Sequence, residues 1–137
     1  MSWFAVDDRF HSHPKTTATS LAARGLWVTA GSWSSALLTD GVVPDQVLAL
    51  LGGSPELANE LVAVGLWRRT RNGYRFHQWD FDQDGARRNF TRQEVLGLRK
   101  KRAAAGQKGG ERSGQARKKQ ALAKDEDAKQ DESKGEA

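Results

Sequence analysis

Lysine and arginine side chains are concentrated in the second half of the chain. Residues 85–124 contain thirteen of them and only two acidic residues, which gives this segment a net charge of +11. Cationic side chains bind phosphate oxygens, and each such contact releases counterions from a nucleic acid. The pattern predicts an arm that binds nucleic acid, and the alternative is a solvated tail that only keeps the chain soluble. The predicted contacts of the arm are Arg87, Arg88, Arg99, Lys100, Lys101, Arg102, Lys108, Arg117, Lys118 and Lys119.

A second group of basic residues lies between positions 68 and 75, where four arginines occur within eight residues and no acid accompanies them. A guanidinium group can enter a minor groove or hold a phosphate with a fork of donors. We therefore predict that these arginines contact DNA. The alternative is an ordinary exposed hairpin whose charges discourage edge-to-edge pairing. The four residues are Arg68, Arg69, Arg71 and Arg75.

The segment 55–64 has the position of a recognition helix, but it contains no lysine or arginine. Among its polar side chains, Asn59 is predicted to read adenine and Glu60 to accept a hydrogen bond from cytosine. Glu56 and Glu60 also repel phosphates. The alternative is that this helix packs against a partner protein, while the other basic residues supply the affinity for DNA.

Other chemistries find less support in the sequence. Asp7, Asp8, His11 and His13 are metal ligands by residue type, but their spacing matches no recognised site. The glycine-rich segment 106–110 lacks the spacing of a phosphate-binding P-loop. The absence of cysteine excludes disulfides, thiolate zinc sites and a thiol nucleophile. We therefore expect no catalytic residue, no metal and no cofactor, and a protein that is not an enzyme.

Charge and aromatic content divide the chain into parts. Residues 1–80 are neutral overall and hold all five tryptophans, the tyrosine and three of the five phenylalanines. This asymmetry predicts a folded domain over 1–80, a basic linker over 81–105 that is part helical, and a disordered tail over 106–137. The tail is basic at first, and its last segment, 125–137, has a net charge of −4.

Local sequence signals predict the elements of the folded domain. Apolar residues recur at helical spacing between 21 and 38, and prolines at positions 44 and 55 begin two further helices. Asn72-Gly73 joins two strands, of which the second is expected to run to Trp79. Helix, short strand, two short helices and hairpin is the order of a winged helix-turn-helix. The predicted fold class is mainly α with a small β-hairpin (α+β): a winged helix-turn-helix over 1–80, followed by a basic, largely disordered tail.

The chain also resembles a known group of proteins over roughly residues 3–80. The motifs are Trp3-x-x-Val6-Asp7-Asp8, His13-Pro14-Lys15, Gly25-Leu26-Trp27, Gly31-Ser32-Trp33, Leu38-Thr39-Asp40-Gly41, Ala63-Val64-Gly65-Leu66-Trp67 and Gly73-Tyr74-x-Phe76-His77-x-Trp79. They are similar to those of actinobacterial phage and prophage helix-turn-helix proteins, which are grouped loosely with winged-helix replication initiators and replisome organisers. The resemblance implies a phage or prophage origin, with a role in replication initiation or transcriptional regulation.

Together these features predict a non-enzymatic protein whose partner is double-stranded DNA. The alternative is an adaptor whose winged helix binds a replication or transcription protein, and RNA binding by the tail is a third interpretation. No membrane association is expected, because the longest apolar runs are far shorter than the ~20 residues of a membrane helix. Since Met1–Asp8 carries no basic residue, we expect no secretory signal and a cytoplasmic, nucleoid-associated protein.

Overall fold

The computed structural model describes the backbone of residues 2–135 and the side chains of residues 2–130. These residues form a mostly helical fold with one small three-stranded antiparallel sheet, which confirms the predicted α+β class. The helices are α1 (Pro14–Thr17), α2 (Leu21–Leu37), α3 (Asp45–Leu50), α4 (Pro55–Ala63) and α5 (Arg92–Gly135). The strands are β1 (Val42–Pro44), β2 (Trp67–Arg69) and β3 (Gly73–Phe76).

Serine side chains begin the two helices that pack together in the core, α2 and α4. The Ser20 hydroxyl accepts a hydrogen bond from the backbone N–H of Ala23 at 3.1 Å. The Ser54 hydroxyl accepts one from the N–H of Leu57 at 3.3 Å, and Pro55 occupies the first helical position, as the sequence predicts. Each serine satisfies an N–H group that has no partner within its own helix.

β3 is the central strand of the sheet, with β1 and β2 antiparallel on either side. The predicted hairpin of β2 and β3 is confirmed, and its turn contains Asn72-Gly73. In the register of the hairpin, Trp67 lies opposite Phe76 and Arg68 lies opposite Arg75. Since side chains alternate between the two faces of a strand, the aromatic pair covers the core and the arginine pair lies on the outer face.

β3 ends earlier than the sequence predicts. Its last residue is Phe76, whereas the strand was expected to run to Trp79. Gln78 has a φ of 50°, in the left-handed region, so the chain turns there and leaves the sheet. The turn places Trp79 in the core, although strict strand alternation would place it on the face opposite Phe76.

Aromatic rings form the centre of the core. Trp27 stacks on Phe10 with ring centroids 4.6 Å apart and meets Phe4 at 4.8 Å in an edge-to-face arrangement. Phe4 in turn stacks on Trp79 at 5.9 Å. α2 continues through Gly31, where any side chain would collide with the Phe4 ring. The glycine therefore allows the N-terminal segment to close the core.

The first of two compact units extends beyond the expected boundary at residue 80 and reaches Val95, which is buried. Asn89 is 3% exposed. Its backbone and side-chain N–H groups both donate to the Trp79 carbonyl at 3.0 Å, and its Oδ1 accepts from the Ala5 N–H at 2.7 Å. The structure thus differs from the predicted linker over 81–105, because hydrogen bonds from a buried amide attach residues 81–95 to the domain.

The second unit, from Leu96 onwards, is helical where the sequence predicts a disordered tail over 106–137. Every described side chain from Leu96 to Gln130 is exposed. Ala, Lys, Arg, Gln and Glu favour helix, whereas each internal glycine costs about 1 kcal/mol relative to alanine. Thr91 caps the start of α5: its hydroxyl accepts a hydrogen bond from the Glu94 N–H at 3.3 Å and donates to the Glu94 carboxylate at 3.0 Å. The last two residues of the predicted tail, 136 and 137, lie outside the described residues.

Candidate nucleic-acid interface

Arg68 and Arg75 form a pair of adjacent positive charges on the outer face of the sheet. They lie directly opposite each other on β2 and β3, and both are exposed. Val42 of β1 is the neighbour of Arg75 on the other side. Like charges at directly opposite positions destabilise an antiparallel pair. A polyanion bound across this face would remove the repulsion.

His77 reveals further basic groups near this pair. Its pKa is lowered first by burial, and then by the positive charges of Lys15, Arg88 and Arg68, which oppose protonation of the ring. We call the surface formed by Lys15, Arg68, Arg75, His77 and Arg88 the sheet patch. Lys15 is absent from the predicted contacts, because it lies 53 positions before Arg68 and no local pattern links the two.

The sheet patch borders a cavity of ≈ 390 Å³ that Arg68, Arg75 and His77 help to line. Two acids, Asp40 and Asp80, also line it. One oxygen of each is already engaged, since Oδ1 of Asp40 accepts from a backbone N–H at 2.6 Å and Oδ1 of Asp80 accepts from one at 3.0 Å. The cavity therefore presents cationic donors alongside two carboxylates, each of which already accepts a hydrogen bond from the backbone.

Arg69 differs from the other arginines of the hairpin. Its guanidinium forms an ion pair with Asp45, in which Nη2 donates to Oδ2 at 3.0 Å and Nη1 donates to Oδ1. The guanidinium also covers the Tyr74 ring, with Cζ 4.6 Å from the ring centroid. The hydrogen bond lowers the pKa of Asp45 and raises that of Arg69. Arg69 thus contacts Asp45 and Tyr74 within the fold, and its predicted contact with DNA stays a prediction.

Arg71 lies in the turn of the hairpin and is exposed. It takes part in no hydrogen bond, ion pair or ring contact within the part of the chain that the structure describes. Unlike Arg69, Arg71 therefore has all of its donors available to a ligand.

Arg87 and Arg88 are adjacent in sequence but have different surroundings. The Arg87 guanidinium lies between the Phe81 and Phe90 rings, 4.7 Å from each centroid, and pairs with Glu94. This arrangement gives Arg87 a structural role, and its predicted contact with nucleic acid stays a prediction. The side chain of Arg88 is partly exposed and belongs to the sheet patch.

The exposed surface of α4 carries little that would attract a phosphate. Glu60 accepts hydrogen bonds from the backbone N–H and the hydroxyl of Ser20, at 2.9 and 2.8 Å, and these bonds lower its pKa. Glu60 therefore stabilises the start of α2, and its predicted contact with cytosine stays a prediction. Asn59 is exposed and forms no side-chain hydrogen bond among the described residues, and Glu56 is the exposed charge beside it.

The remaining predicted contacts lie in the second unit and are all exposed on α5. The structure gives these side chains no partner among the described residues, so their charges are open to solvent. They are Arg99, Lys100, Lys101, Arg102, Lys108, Arg117, Lys118 and Lys119.

The acids and histidines near the N-terminus do not assemble into a metal-binding cluster within the described residues. His13 instead begins α1, where its Nδ1 accepts a hydrogen bond from the Lys15 N–H at 3.2 Å. Asp7 accepts one from the Arg9 N–H at 2.8 Å, which lowers its pKa. Both side chains thus stabilise local turns.

No family model, no curated protein and no solved structure matches the chain. Among the residues that the structure describes, no helix combines the length and the hydropathy that crossing a membrane requires. The function proposed below therefore rests on the chain's own residues.

Proposed function

We propose that the protein is a non-enzymatic protein that binds double-stranded DNA through a winged helix and a basic helical arm. The element order α2, β1, α3, α4, β2, β3 and the strand order β1-β3-β2 support a winged helix. In this fold α3 and α4 are the helix-turn-helix, and the β2–β3 hairpin is the wing. α5 takes the place of the disordered tail that the sequence predicts.

The observation that carries the proposal is the sheet patch on the wing. Arg68 and Arg75 are exposed and directly opposite each other, and Lys15 and Arg88 add charge next to His77. Asp40 and Asp80 line the same cavity but form no ion pair with these cations among the described residues, so the repulsion between the cations costs electrostatic free energy in the free protein. Phosphates arranged along a duplex would offset that cost and release counterions.

Most of the affinity in this proposal comes from phosphate contacts. The exposed side of α4 carries Glu56 and no basic residue, so it gains little from approaching a groove. Asn59 is the residue of α4 that is free to read a base, by donating to and accepting from adenine. We therefore expect binding that depends strongly on salt and weakly on base sequence.

The proposal is tested by replacing both arginines of the pair, Arg68→Gln with Arg75→Gln, and measuring duplex affinity by fluorescence anisotropy over a range of salt. Two lost phosphate contacts lower the slope of log K against log salt by about 1.8. Arg9→Gln is the matched control, since Arg9 is exposed and lies outside the sheet patch. A full chain that binds no duplex, or a slope unchanged by the double substitution, overturns the proposal.

A second candidate function is an adaptor whose α4 surface binds a replication or transcription protein. The absence of basic residues on the exposed side of α4 favours this function. The two functions predict different results for a fragment of residues 1–98. This fragment contains the proposed winged helix but ends before the two basic segments of α5. Duplex binding by residues 1–98 supports direct recognition, and binding that requires α5 supports the adaptor. The same titration with single-stranded RNA tests the third interpretation.

The biological setting follows from the resemblance of residues 3–80 to phage and prophage helix-turn-helix proteins. We propose a role in replication initiation or transcriptional regulation, at the nucleoid of the host cell. A chromatin immunoprecipitation experiment in the source organism distinguishes a replication origin from a promoter.

A further inference from the structure

α5 contains the same basic motif twice. Residues 99–105 read Arg-Lys-Lys-Arg-Ala-Ala-Ala, and residues 117–123 read Arg-Lys-Lys-Gln-Ala-Leu-Ala, so five of the seven positions are identical. We call these segments the first and second basic motifs. The distance between equivalent positions is 18 residues. Both motifs lie within α5 and are exposed along their whole length.

The 18-residue spacing has a specific meaning in a helix. At 3.6 residues per turn it equals about five complete turns, so Arg117 lies on the same side of α5 as Arg99. At 1.5 Å per residue the two motifs are about 27 Å apart along the helix axis. A spacing two residues longer would place the second motif about 200° away, on the opposite side.

The segment between the motifs has no side chain that could pack against another helix. Residues 106–116 contain four glycines, together with Lys108, Glu111 and Arg112, and no residue larger than alanine among their apolar side chains. Packing in a protein core therefore does not account for the regular spacing. Two sets of cations that face the same way at a fixed distance instead match a rigid ligand with regularly placed negative charges.

We propose that the two basic motifs bind one nucleic-acid duplex at two places through the same side of α5. At 3.4 Å per base pair, the separation of about 27 Å corresponds to about eight base pairs. Each motif supplies three consecutive cations, Arg-Lys-Lys, to phosphates at its end of the site. The inference rests on the proposed function and adds to it the geometry of the α5 contact.

If both motifs bind one ligand, the affinity depends on whether they lie on the same side of α5, which is the phase of the second motif relative to the first. Once the first motif is bound, the second meets its phosphates intramolecularly, and the gain in affinity is lost if the geometry forbids simultaneous contact. A flexible arm has no such requirement, because its side chains reach phosphates whatever the spacing. Changing the phase without changing the charge therefore separates the two cases.

The test inserts alanines between Gly109 and Gly110 in the full chain. Two alanines rotate the second motif by about 200°, whereas four rotate it by about 40° and move it by only about 6 Å. Neither insertion changes the charge, and alanine favours helix, which circular dichroism verifies for each variant. We expect the two-alanine chain to bind a 20-base-pair duplex at least about tenfold more weakly, and the four-alanine chain to stay within about threefold of the parent.

A triple variant measures the duplex affinity that remains without the cations of the second basic motif; its substitutions are Arg117→Gln, Lys118→Gln and Lys119→Gln. We expect the affinity of the two-alanine chain to approach that of this variant. Equal affinities for the two insertions, whether both unchanged or both weakened, overturn the proposal. A parent chain that binds no duplex overturns the proposed function itself, so the two failures are distinguishable.

Discussion

Arg69 and Asp45 join the end of β2 to the first turn of α3. The two residues are 24 positions apart in sequence, and their side chains form an ion pair with two hydrogen bonds. The Arg69 guanidinium also donates to the Gly73 carbonyl at 3.2 Å and covers the Tyr74 ring. This ion pair joins the β2–β3 hairpin to α3, whereas the other three arginines of the hairpin form no ion pair among the described residues.

Arg69→Ala is therefore expected to lower the stability of the domain, and Arg71→Ala to lower its affinity for duplex. Loss of Arg69 removes the contacts with Asp45 and Tyr74, so the melting temperature falls. Arg71→Ala leaves the melting temperature unchanged, because Arg71 has no partner among the described residues, and it weakens duplex binding. Thermal melts and anisotropy titrations of both variants check this. An equal fall in melting temperature for both would contradict the roles assigned to them.

The hydrogen bonds of Glu60 predict a contribution to stability that depends on pH. Ser20 holds the pKa of Glu60 below its ordinary value, so the folded state favours the charged carboxylate. This contribution is complete above the ordinary carboxyl pKa, about 4.3, and is lost as the pH falls through the lowered value. Glu60→Gln should therefore melt below the parent at pH 7, with a difference that narrows below about pH 4.

Glu56→Gln is the matched control on the same helix, since Glu56 is exposed and forms no hydrogen bond among the described residues. At pH 7 its melting temperature should stay closer to that of the parent than the melting temperature of Glu60→Gln does, since only the charge in the first turn of α4 is lost. If the Glu60→Gln difference instead stays constant from pH 7 to pH 3, the ionisation of Glu60 does not contribute to folding.

Asn89 is expected to be important for stability although it lies outside the apolar core. Asn89→Ala removes the side-chain donor to the Trp79 carbonyl and the acceptor of the Ala5 N–H. The Trp79 carbonyl keeps the backbone N–H of Asn89 as its donor, whereas the Ala5 N–H loses its acceptor. Leaving such a group unsatisfied costs about 1 kcal/mol or more of the free energy of unfolding. Asn59→Ala, the same substitution at an exposed site, should change the free energy of unfolding by less than about 0.5 kcal/mol. Urea denaturation of both variants provides the comparison.

Truncation tests the extent of the first unit. A chain of residues 1–98 keeps Val95 in the first turns of α5. It should unfold cooperatively, with a urea midpoint close to that of the full chain. A chain of residues 1–84 loses the burial of Val95, which alone stabilises by about 1.5–3 kcal/mol, and also the bonds of Asn89. Identical urea midpoints for the two fragments would show that residues 85–95 add nothing to the domain.

His77 gives a direct measure of ligand binding at the sheet patch. Repulsion from Lys15, Arg88 and Arg68 contributes to its lowered pKa. Phosphates bound at the patch would screen these charges, so duplex binding should raise the pKa of His77. Titration of the imidazole ring protons by NMR, with and without duplex, measures the shift, and His11 serves as the internal reference because it lies outside the patch. An unchanged titration of His77 in the presence of saturating duplex would locate the ligand elsewhere.

The elements predicted correctly are those with strong local signals. Ser54 and Pro55 mark the start of α4, and Asn72-Gly73 marks the hairpin turn, since in both cases adjacent residues determine the backbone conformation. The helical start of α5 also has a local signal, the sequence pattern Thr91-x-x-Glu94. The four glycines of residues 106–116 instead favour disorder, so the sequence does not predict the rest of this helix.

The features that the sequence does not reveal depend on contacts between distant residues. Asn89 bonds to Ala5, 84 positions away, and its polar side chain resembles that of any loop residue. The roles of Arg69 and Glu60 depend in the same way on Asp45 and Ser20. For the candidate site, sequence identifies the basic residues, and only the fold separates those that stabilise it from those that are free to bind.

The hydrogen bond between Ala5 and Asn89 has a consequence for the topology of the domain. It brings segments near the two ends of the first unit into contact, so a short linker could join them at a small cost in loop-closure entropy. Gly52 is exposed, and a side chain built there would meet no other atom within 4 Å. A circularly permuted domain that opens at Gly52 would therefore keep the contacts described above, with α3 at one of its new ends and α4 at the other.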